Sequence, residues 1–138
     1  MEMRAYEVTR GRGYVYSLQY HIVWCTKYRR KVLTEEVSES LLKILNKIAK
    51  DNRFEILEAN IAEDHVHLLV NCIPQNYIPD MLKALKGVSA RLVMKEFGEE
   101  LQKKLWGGHL WNPSYYIATV SDGTEEQIAE YIQRQREK

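Results

Sequence analysis

Two patterns of hydrophobic residues follow one another along the first half of the chain, and they predict a strand and then a helix. Residues 14–26 are rich in Tyr, Val, Ile and Trp, which favours a strand. Apolar positions then recur at helical spacing over residues 35–50, behind Thr34 as N-cap, and predict a first helix. Residues 54–62 and 65–73 predict an antiparallel hairpin, because few residues separate them. Strict alternation along the first strand of this hairpin predicts that four side chains share one face: Phe54, Ile56, Glu58 and Asn60.

The second half of the chain predicts a long helix, a loop, a short strand and a terminal helix. Apolar positions recur at helical spacing from Pro79, which suits a first turn, to Gly98, which would end the helix. Residues 99–113 predict a long loop, and residues 115–120 predict a short strand. The last helix spans residues 124–138, with Thr124 as its cap.

This order of elements, βαββαβ plus a C-terminal helix, predicts an α+β fold of the ferredoxin-like (RRM-like) kind. Its antiparallel sheet carries helices on one face and leaves the other face free. One domain is expected over residues 1–138, since this length fits a single core. Within it, residues 1–13 are interpreted as a flexible arm and residues 121–123 as a hinge before the terminal helix.

Charge is balanced, with 20 basic against 19 acidic residues and a net charge of +1. The overall charge therefore does not indicate nucleic-acid binding, and any such contact must come from local basic patches. One patch follows the first strand: Lys27, Tyr28, Arg29, Arg30 and Lys31. Another lies along the second helix: Lys83, Lys86 and Arg91. We interpret both as DNA contacts, in which cations neutralise phosphates and a base stacks on Tyr28. A solvated charged face is the alternative for the helix.

Cysteine usage and apolar run length bear on location. Cys25 and Cys72 lie inside apolar segments without metal-type spacing, as expected for reduced, buried thiols. No secretory pattern opens the chain, and no apolar run approaches the ~20 residues that span a bilayer. The sequence therefore predicts a soluble, cytoplasmic protein without a membrane partner.

A His-x-His pair lies on the second strand of the predicted hairpin. Residues two apart on a strand point to the same face, so His65 and His67 lie side by side. Two neutral imidazoles at this spacing can chelate a divalent ion. A surface pair making ordinary hydrogen bonds is the alternative. His21 and His109 each stand alone in the sequence, which is more typical of a packed or solvated histidine.

A Tyr-x-x-x-Gln pair lies on the terminal helix. Tyr131 and Gln135 are four positions apart and therefore share a helix face. A phenol can attack phosphorus when a metal polarises the phosphate, and an amide oxygen one turn away can complete a ligand set with two histidines. Ordinary packing of a half-buried tyrosine is the alternative.

Taken together, these segments resemble the TnpA-type single-tyrosine HUH transposases of minimal insertion sequences. His65-Val66-His67 is similar to the HUH signature, and Tyr131 with Gln135 is similar to that family's tyrosine helix. Two further segments resemble its first strand with the basic exit and the stretch before the last helix: residues 20–30 (YHIVWCTKYRR) and 105–116 (LWGGHLWNPSYY). The resemblance covers about residues 14–136.

The resemblance implies a DNA transposase that cleaves and rejoins single-stranded DNA. Tyr131 would form a 5′-phosphotyrosine link, and His65, His67 and Gln135 would hold Mg²⁺ or Mn²⁺. It implies no nucleotide cofactor, because one phosphodiester is exchanged for another. It also implies a homodimer and a single-stranded DNA substrate with subterminal hairpins.

Three other functions remain open from the sequence. An RRM-like module that binds single-stranded nucleic acid without catalysis has the same sheet, but has no use for the histidine pair. A replication initiator or relaxase would use the same chemistry as a nickase. A domesticated relative that acts on host repeats would keep the site and change its task.

Overall fold

In the computed structural model, residues 9–11, 14–120 and 125–135 are described, and they confirm the α+β prediction. Ten α-helices and strands of the described residues follow in the order β1 (Thr9–Gly11), β2 (Tyr14–Tyr16), β3 (Gln19–Cys25), α1 (Glu35–Asp51), β4 (Glu55–Ile61), β5 (His65–Asn71), α2 (Ile78–Lys83), α3 (Ser89–Gln102), β6 (Tyr116–Thr119) and α4 (Glu125–Arg134). A π-helical turn, Ala84–Val88, joins α2 to α3.

The main sheet is antiparallel and four-stranded, with strand order β4-β5-β3-β6. Strand β3, one of the two inner strands, pairs with β5 on one side and with β6 on the other. The predicted hairpin is confirmed, and the Ala62 N–H donates to the His65 carbonyl at 2.9 Å where β4 turns into β5. The sheet thus places the histidine strand next to its centre.

The hydrophobic core lies between one face of this sheet and the helices α1, α2 and α3. The sheet contributes alternate residues, among them Ile22, Trp24, Val66, Leu68 and Val70. Helix α1 begins where predicted, since the Thr34 hydroxyl accepts the Val37 N–H at 3.3 Å. It buries Leu41 and Leu45 against the sheet.

The N-terminal segment differs from its predicted form. Residues 14–26 form two strands, β2 and β3, instead of one. Residues 9–11, predicted as part of a flexible arm, form β1, because their backbone pairs with the strand-forming residues Tyr14–Tyr16. Residues 1–8, 12 and 13 of that arm lie outside the described part of the chain.

The second helix does not end at Gly98, so that prediction was wrong. The chain passes through the π turn, bends at Phe97 (φ −117°, ψ 19°) and continues as helix to Gln102. Glycine inside a helix costs about 1 kcal/mol, whereas full burial of a leucine contributes roughly 1.5–3 kcal/mol. Leu101 is fully buried in the core, so its packing outweighs the glycine.

The predicted alternation along β4 was wrong beyond Ile56. Ile56 pairs with Val70, but Glu58 already pairs with Leu69, so Leu57 is the extra residue of a β-bulge. The bulge reverses the faces that follow it: Ala59 and Ile61 pack against the core, although alternation had placed them opposite Ile56. Glu58 thereby comes to the face of the sheet that carries the histidines.

The sequence predicted that the sheet face opposite the core would be free. That prediction was wrong, because α4 contacts β3 on this face. Val23 and Cys25 alternate with the core residues Ile22 and Trp24 and are nevertheless fully buried. Ile128 of α4 is buried as well. The terminal helix is confirmed, while its predicted hinge and cap, residues 121–124, lie outside the described residues, as do residues 136–138.

No helix among the described residues is long and apolar enough to cross a membrane.

Replacing Leu45 by alanine should lower the free energy of unfolding by roughly 2–5 kcal/mol, because it opens a cavity at a fully buried position. Leu42→Ala on the same helix is the matched control. Leu42 is 39% exposed, and its truncation should cost less than about 1 kcal/mol. Urea denaturation followed by circular dichroism measures both. Equal losses would contradict the placement of the core on this side of α1.

Candidate active site

The two histidines of β5 lie on the sheet face opposite the core, as their spacing predicts. His65 is the cross-strand partner of Cys25, and His67 is the partner of Val23. Both imidazoles are partly exposed, while Val66 between them is fully buried in the core. The strand therefore presents two imidazoles on the face that also receives α4.

Asp64 and Arg29 fix the ring of His65. The Asp64 carboxylate accepts the Nδ1–H of His65 at 2.8 Å and the Nε–H of Arg29 at 2.9 Å. Burial alone would raise the pKa of Asp64, but the hydrogen bonds from His65 and Arg29 and the charge of Arg29 outweigh burial and lower it. A charged carboxylate on Nδ1 leaves Nε2 as the nitrogen with a free lone pair, which is the usual support of a metal-binding histidine.

His67 meets a third imidazole, that of His21. His67 Nε2 lies 3.1 Å from His21 Nδ1, and the ring centroids are 5.2 Å apart. Burial, together with the charges of the nearby His21 and His65, lowers the pKa of His67 to about 4. Burial also lowers the pKa of His21, against the opposing charge of Glu58. His67 is therefore neutral near pH 7, which is the state that binds metal ions.

Tyr131 and Gln135 of α4 meet at the hydroxyl of Ser114. The Ser114 Oγ lies 2.8 Å from the Tyr131 hydroxyl, and it donates to the Gln135 Oε1 at 3.0 Å. A serine hydroxyl has one hydrogen, so the Tyr131 hydroxyl is the donor to Ser114. Gln135 is buried, with 2% of its surface exposed. The sequence had placed these two side chains on one helix face, and the structure adds the residue that joins them.

The Tyr131 phenol is protonated near neutral pH. Burial raises the pKa of Tyr131, the hydrogen bond with Ser114 lowers it in part, and the neighbouring Cys25 raises it further. Burial and the charge of Asp64 also raise the pKa of Cys25, to about 11, so this thiol is no competing nucleophile. Both cysteines are free and buried, as the sequence predicts.

One strand separates the histidines from the Ser114 cluster. Cys25 pairs with His65 on one side, and its carbonyl accepts the Asn112 N–H at 2.9 Å on the other. Arg29 spans the same gap, because its Nη1 donates to the Ile132 carbonyl of α4 at 3.3 Å while its Nε binds Asp64. Among the described residues, no hydrogen bond joins either β5 imidazole directly to Tyr131 or Gln135.

The donors on this face fit a divalent ion only if the glutamine takes part. Within the described ranges, no three His, Cys, Asp or Glu side chains lie so that they could hold a metal. Two neutral imidazoles and one amide oxygen make a mixed nitrogen and oxygen set of the kind that Mn²⁺ accepts. The Gln135 oxygen has two lone pairs, and Ser114 occupies one of them.

Four contributors to this site were missed by reasoning from the sequence: His21, Asp64, Ser114 and the supporting role of Arg29. Asp64 had a usable signal, since it directly precedes the histidine pair. His21 required the register between β3 and β5, which the sequence does not specify. Ser114 had no signal, because its partners lie 17 and 21 positions further along the chain.

The first predicted DNA patch is only partly available to a ligand. Tyr28 is 51% exposed in a left-handed conformation (φ 57°), and Arg30 and Lys31 are exposed as well. The Lys27 ammonium lies 5.1 Å from the Tyr28 ring centroid. Arg29 is mostly buried in its ion pair with Asp64.

On the second helix, the exposed cations flank a glycine. Lys83 and Arg91 line a shallow groove with Gly87 between them, and a Cβ built on Gly87 would meet nothing within 4 Å. Lys86, predicted to share their side, is half-buried instead. Its ammonium donates to the carbonyls of Asn112 and Ser114, each at 2.8 Å.

Comparison with known proteins places the whole of this site inside one family. The model of the IS200-like transposases matches residues 14–135. The ISDra2 transposase TnpA of Deinococcus radiodurans is 52% identical over 132 residues, covering 96% of this chain and 94% of that protein. The transposase for insertion sequence element IS200 of Salmonella typhimurium is 33% identical over 122 residues, covering 88% and 79%.

Solved structures agree with this assignment. A candidate transposase from Deinococcus radiodurans R1 superposes with a TM-score of 0.85 at 50% identity, covering 92% of this chain and 97% of the other. A REP-associated tyrosine transposase bound to a REP hairpin shares the fold alone, with a TM-score of 0.57 at 15% identity over 88% and 67%. His65, His67, Tyr131 and Gln135 all lie within the matched segment, and the chain belongs to the IS200-like family of single-tyrosine (Y1) HUH transposases.

Proposed function

We propose that this transposase cuts and rejoins single-stranded DNA with Tyr131 as nucleophile. The observation that carries the proposal is the meeting of the Tyr131 hydroxyl and the Gln135 amide at Ser114, on the sheet face that also bears His65 and His67. Arg29 supports the same grouping, since it holds both the tyrosine helix and the carboxylate behind His65.

In the proposed reaction the Tyr131 oxygen attacks a DNA phosphorus. The bond from phosphorus to the 3′ oxygen breaks, the leaving fragment takes up a proton as a free 3′-OH, and a 5′-phosphotyrosine remains. Attack by a 3′-OH on that linkage reverses the step and rejoins DNA, so no nucleotide cofactor is needed. The step needs no net proton, because the phenol loses one and the 3′ oxygen gains one, with solvent as the carrier. Ser114, which accepts the hydrogen bond of the Tyr131 hydroxyl, orients that hydroxyl and is not itself the base.

The family is generally metal-dependent, and we propose that Mg²⁺ or Mn²⁺ is held by His65, His67 and Gln135. Such an ion, when bound, polarises the scissile phosphate. The chain's own contribution is to keep the ligands ready: Asp64 orients His65, burial keeps His67 neutral, and Ser114 holds the amide oxygen of Gln135.

DNA is the partner that the family implies, and we propose hairpin-bearing single strands as the form it takes. One structural relative is bound to a REP hairpin. Base stacking is proposed for Tyr28. Phosphate contacts are proposed for the partly exposed Lys27 and for four exposed cations: Arg30, Lys31, Lys83 and Arg91. Arg29 and Lys86, predicted as DNA contacts, each donate two hydrogen bonds within the protein and are left out of this interface.

A homodimer is part of the same proposal, as the resemblance implies. Strands β4 and β6 are the two edges of the described sheet, and an edge strand can pair with a second chain. Light scattering on the purified protein tests this directly. Because the proposed activity needs access to the cell's DNA, we also keep the cytoplasmic location that the sequence predicts.

The deciding experiment uses single-stranded oligonucleotides from the flanking DNA, labelled at either end, with Mn²⁺ or with EDTA. A 3′ label should stay covalently on the protein after denaturing electrophoresis, and a 5′ label should appear on a shorter free strand. Both products should vanish in EDTA and with fully duplex DNA. Binding without any cleavage product would refute the proposal and favour a non-catalytic nucleic-acid-binding module.

A further inference from the structure

The Lys86 ammonium donates its hydrogen bonds to backbone groups of the protein. It lies in the π-helical turn Ala84–Val88, a rare element that is often found at functional sites. Its ammonium donates to two carbonyl oxygens, of Asn112 and Ser114, at 2.8 Å each, and lies 5.7 Å from the Tyr115 ring centroid. Two of its three N–H groups thus have carbonyl partners within the chain, whereas a lysine that binds phosphate would be expected to keep its donors toward solvent.

Further hydrogen bonds fix residues 111–114, the segment that Lys86 contacts. Asn112 donates its N–H to the Cys25 carbonyl at 2.9 Å, and its side-chain oxygen accepts the Ser114 N–H at 2.9 Å. One residue earlier, the Trp111 indole donates to the Ser89 hydroxyl at 3.0 Å, at the start of α3. The helix therefore fastens this segment at two points, and Lys86 is the one nearer Ser114.

Ser114 passes that constraint on to α4. Its hydroxyl is the shared partner of the Tyr131 hydroxyl and the Gln135 amide oxygen. A shift of the Ser114 backbone would move both. Burial lowers the pKa of Lys86 to about 8, so keeping a cation here has a cost that its two carbonyl partners offset. An apolar side chain at this position would pack without the desolvation cost of a buried ammonium, which favours a role for the lysine beyond packing.

We propose that Lys86 is a positioning residue, which fixes Ser114 and through it the placement of the Tyr131 hydroxyl and the Gln135 amide. The inference rests on the proposed function of Tyr131 and deepens it. Lys86 acts through the protein and does not touch DNA. A displacement of about 1 Å at a reacting group can cost on the order of 10²-fold in rate, so loss of the lysine should appear in the rate constant.

The main test compares Lys86→Met with Lys86→Gln. Methionine keeps an unbranched chain and loses every donor, whereas glutamine loses the charge and keeps two N–H donors. At saturating DNA we expect Lys86→Met to form the covalent adduct about 10- to 100-fold more slowly, with its dissociation constant for uncleaved DNA within about 2-fold of the original. Glutamine should restore much of the rate. Equal defects in both variants, or weaker DNA binding with an unchanged saturated rate, would overturn the proposal.

Two comparison variants complete the design. Lys43→Met removes an exposed lysine from α1 and should leave rate, affinity and melting temperature unchanged. Ser114→Ala removes the proposed intermediary, and the double variant Lys86→Met/Ser114→Ala should be no slower than Ser114→Ala alone. Additive losses would mean that Lys86 does not act through Ser114.

A readout that needs no DNA keeps this inference separate from the function it rests on. The ring carbon resonance of a ¹³C-labelled Tyr131 reports the surroundings of its phenol near neutral pH, where Ser114 is its hydrogen-bond partner. Lys86→Met should shift that resonance in the same direction as Ser114→Ala. An unchanged resonance refutes the positioning role. A shifted resonance in a protein that forms no adduct refutes the proposed function and leaves the positioning role standing.

Discussion

Tyr131→Phe should abolish the covalent link between protein and DNA, lowering adduct formation by at least roughly 10³-fold, because the attacking oxygen is gone. The ring is retained, so the packing of α4 is kept, including its contact with the Tyr116 ring at 5.8 Å between centroids. What is lost besides the nucleophile is one hydrogen bond to Ser114. Denaturing electrophoresis with 3′-labelled DNA measures the adduct.

Tyr116→Phe is the matched control for this prediction. It removes a hydroxyl from the neighbouring ring on the same face, and that hydroxyl lies 3.5 Å from the Gln127 amide oxygen. Adduct formation should stay within about 3-fold, the scale of a change of 0.6 kcal/mol or so in activation free energy. If Tyr131→Phe protein still carries DNA, the peptide that holds it will identify a different nucleophile.

The elements with strong, local patterns could be predicted from the sequence. Helix α1 has a side-chain cap and a clean apolar stripe, and the β4–β5 hairpin is defined by two β-rich runs with a short gap. Both depend on residues that are neighbours along the chain. The histidine pair could be placed on one face for the same reason, since alternation over three residues leaves little room for error.

Where the prediction failed, the structure was decided by residues distant in sequence. The bulge in β4 depends on the register with β5, which strict alternation cannot include. The burial of Leu101 carries the second helix past Gly98. Helical spacing predicted Lys86 on one side with Lys83 and Arg91. The π turn changes the angular spacing within that helix, and Lys86 contacts the segment before β6 instead.

In the candidate site, too, the features that depend on neighbouring residues could be predicted, and those that depend on distant residues could not. Tyr131 with Gln135, and His65 with His67, could each be predicted as pairs, because each pair lies within one element. Their common placement depends on how α4 packs on β3, and on Arg29, which reaches from a three-residue turn to both Asp64 and α4. The sequence suggested a joint ligand set from residue chemistry and from the family resemblance, and the structure adds that α4 packs on β3.

Replacing His65 or His67 by alanine should remove metal binding together with cleavage. Each change deletes one of the three proposed ligands, and even loss of a supporting residue behind a metal ligand typically costs about 10- to 100-fold in metal affinity. We therefore expect Mn²⁺ affinity, measured by electron paramagnetic resonance of the free ion, to fall by at least ~100-fold in either variant. Asp64→Asn should lie between these variants and the original protein, because it weakens the hold on the His65 ring.

The lowered pKa of His67 sets the pH range over which its imidazole is available to a metal ion. The pKa of His67 is lowered to about 4, so its imidazole stays neutral as pH falls from 7 toward 5, and protons should not displace Mn²⁺ from it in that range. His109→Ala is the control, since His109 is exposed and distant in sequence from every proposed ligand. Its Mn²⁺ affinity and cleavage rate should match the original protein. Undiminished Mn²⁺ binding in His65→Ala and His67→Ala alike would contradict a metal site at this face. No three His, Cys, Asp or Glu side chains among the described residues are placed to hold the ion, so the loss is expected to be visible.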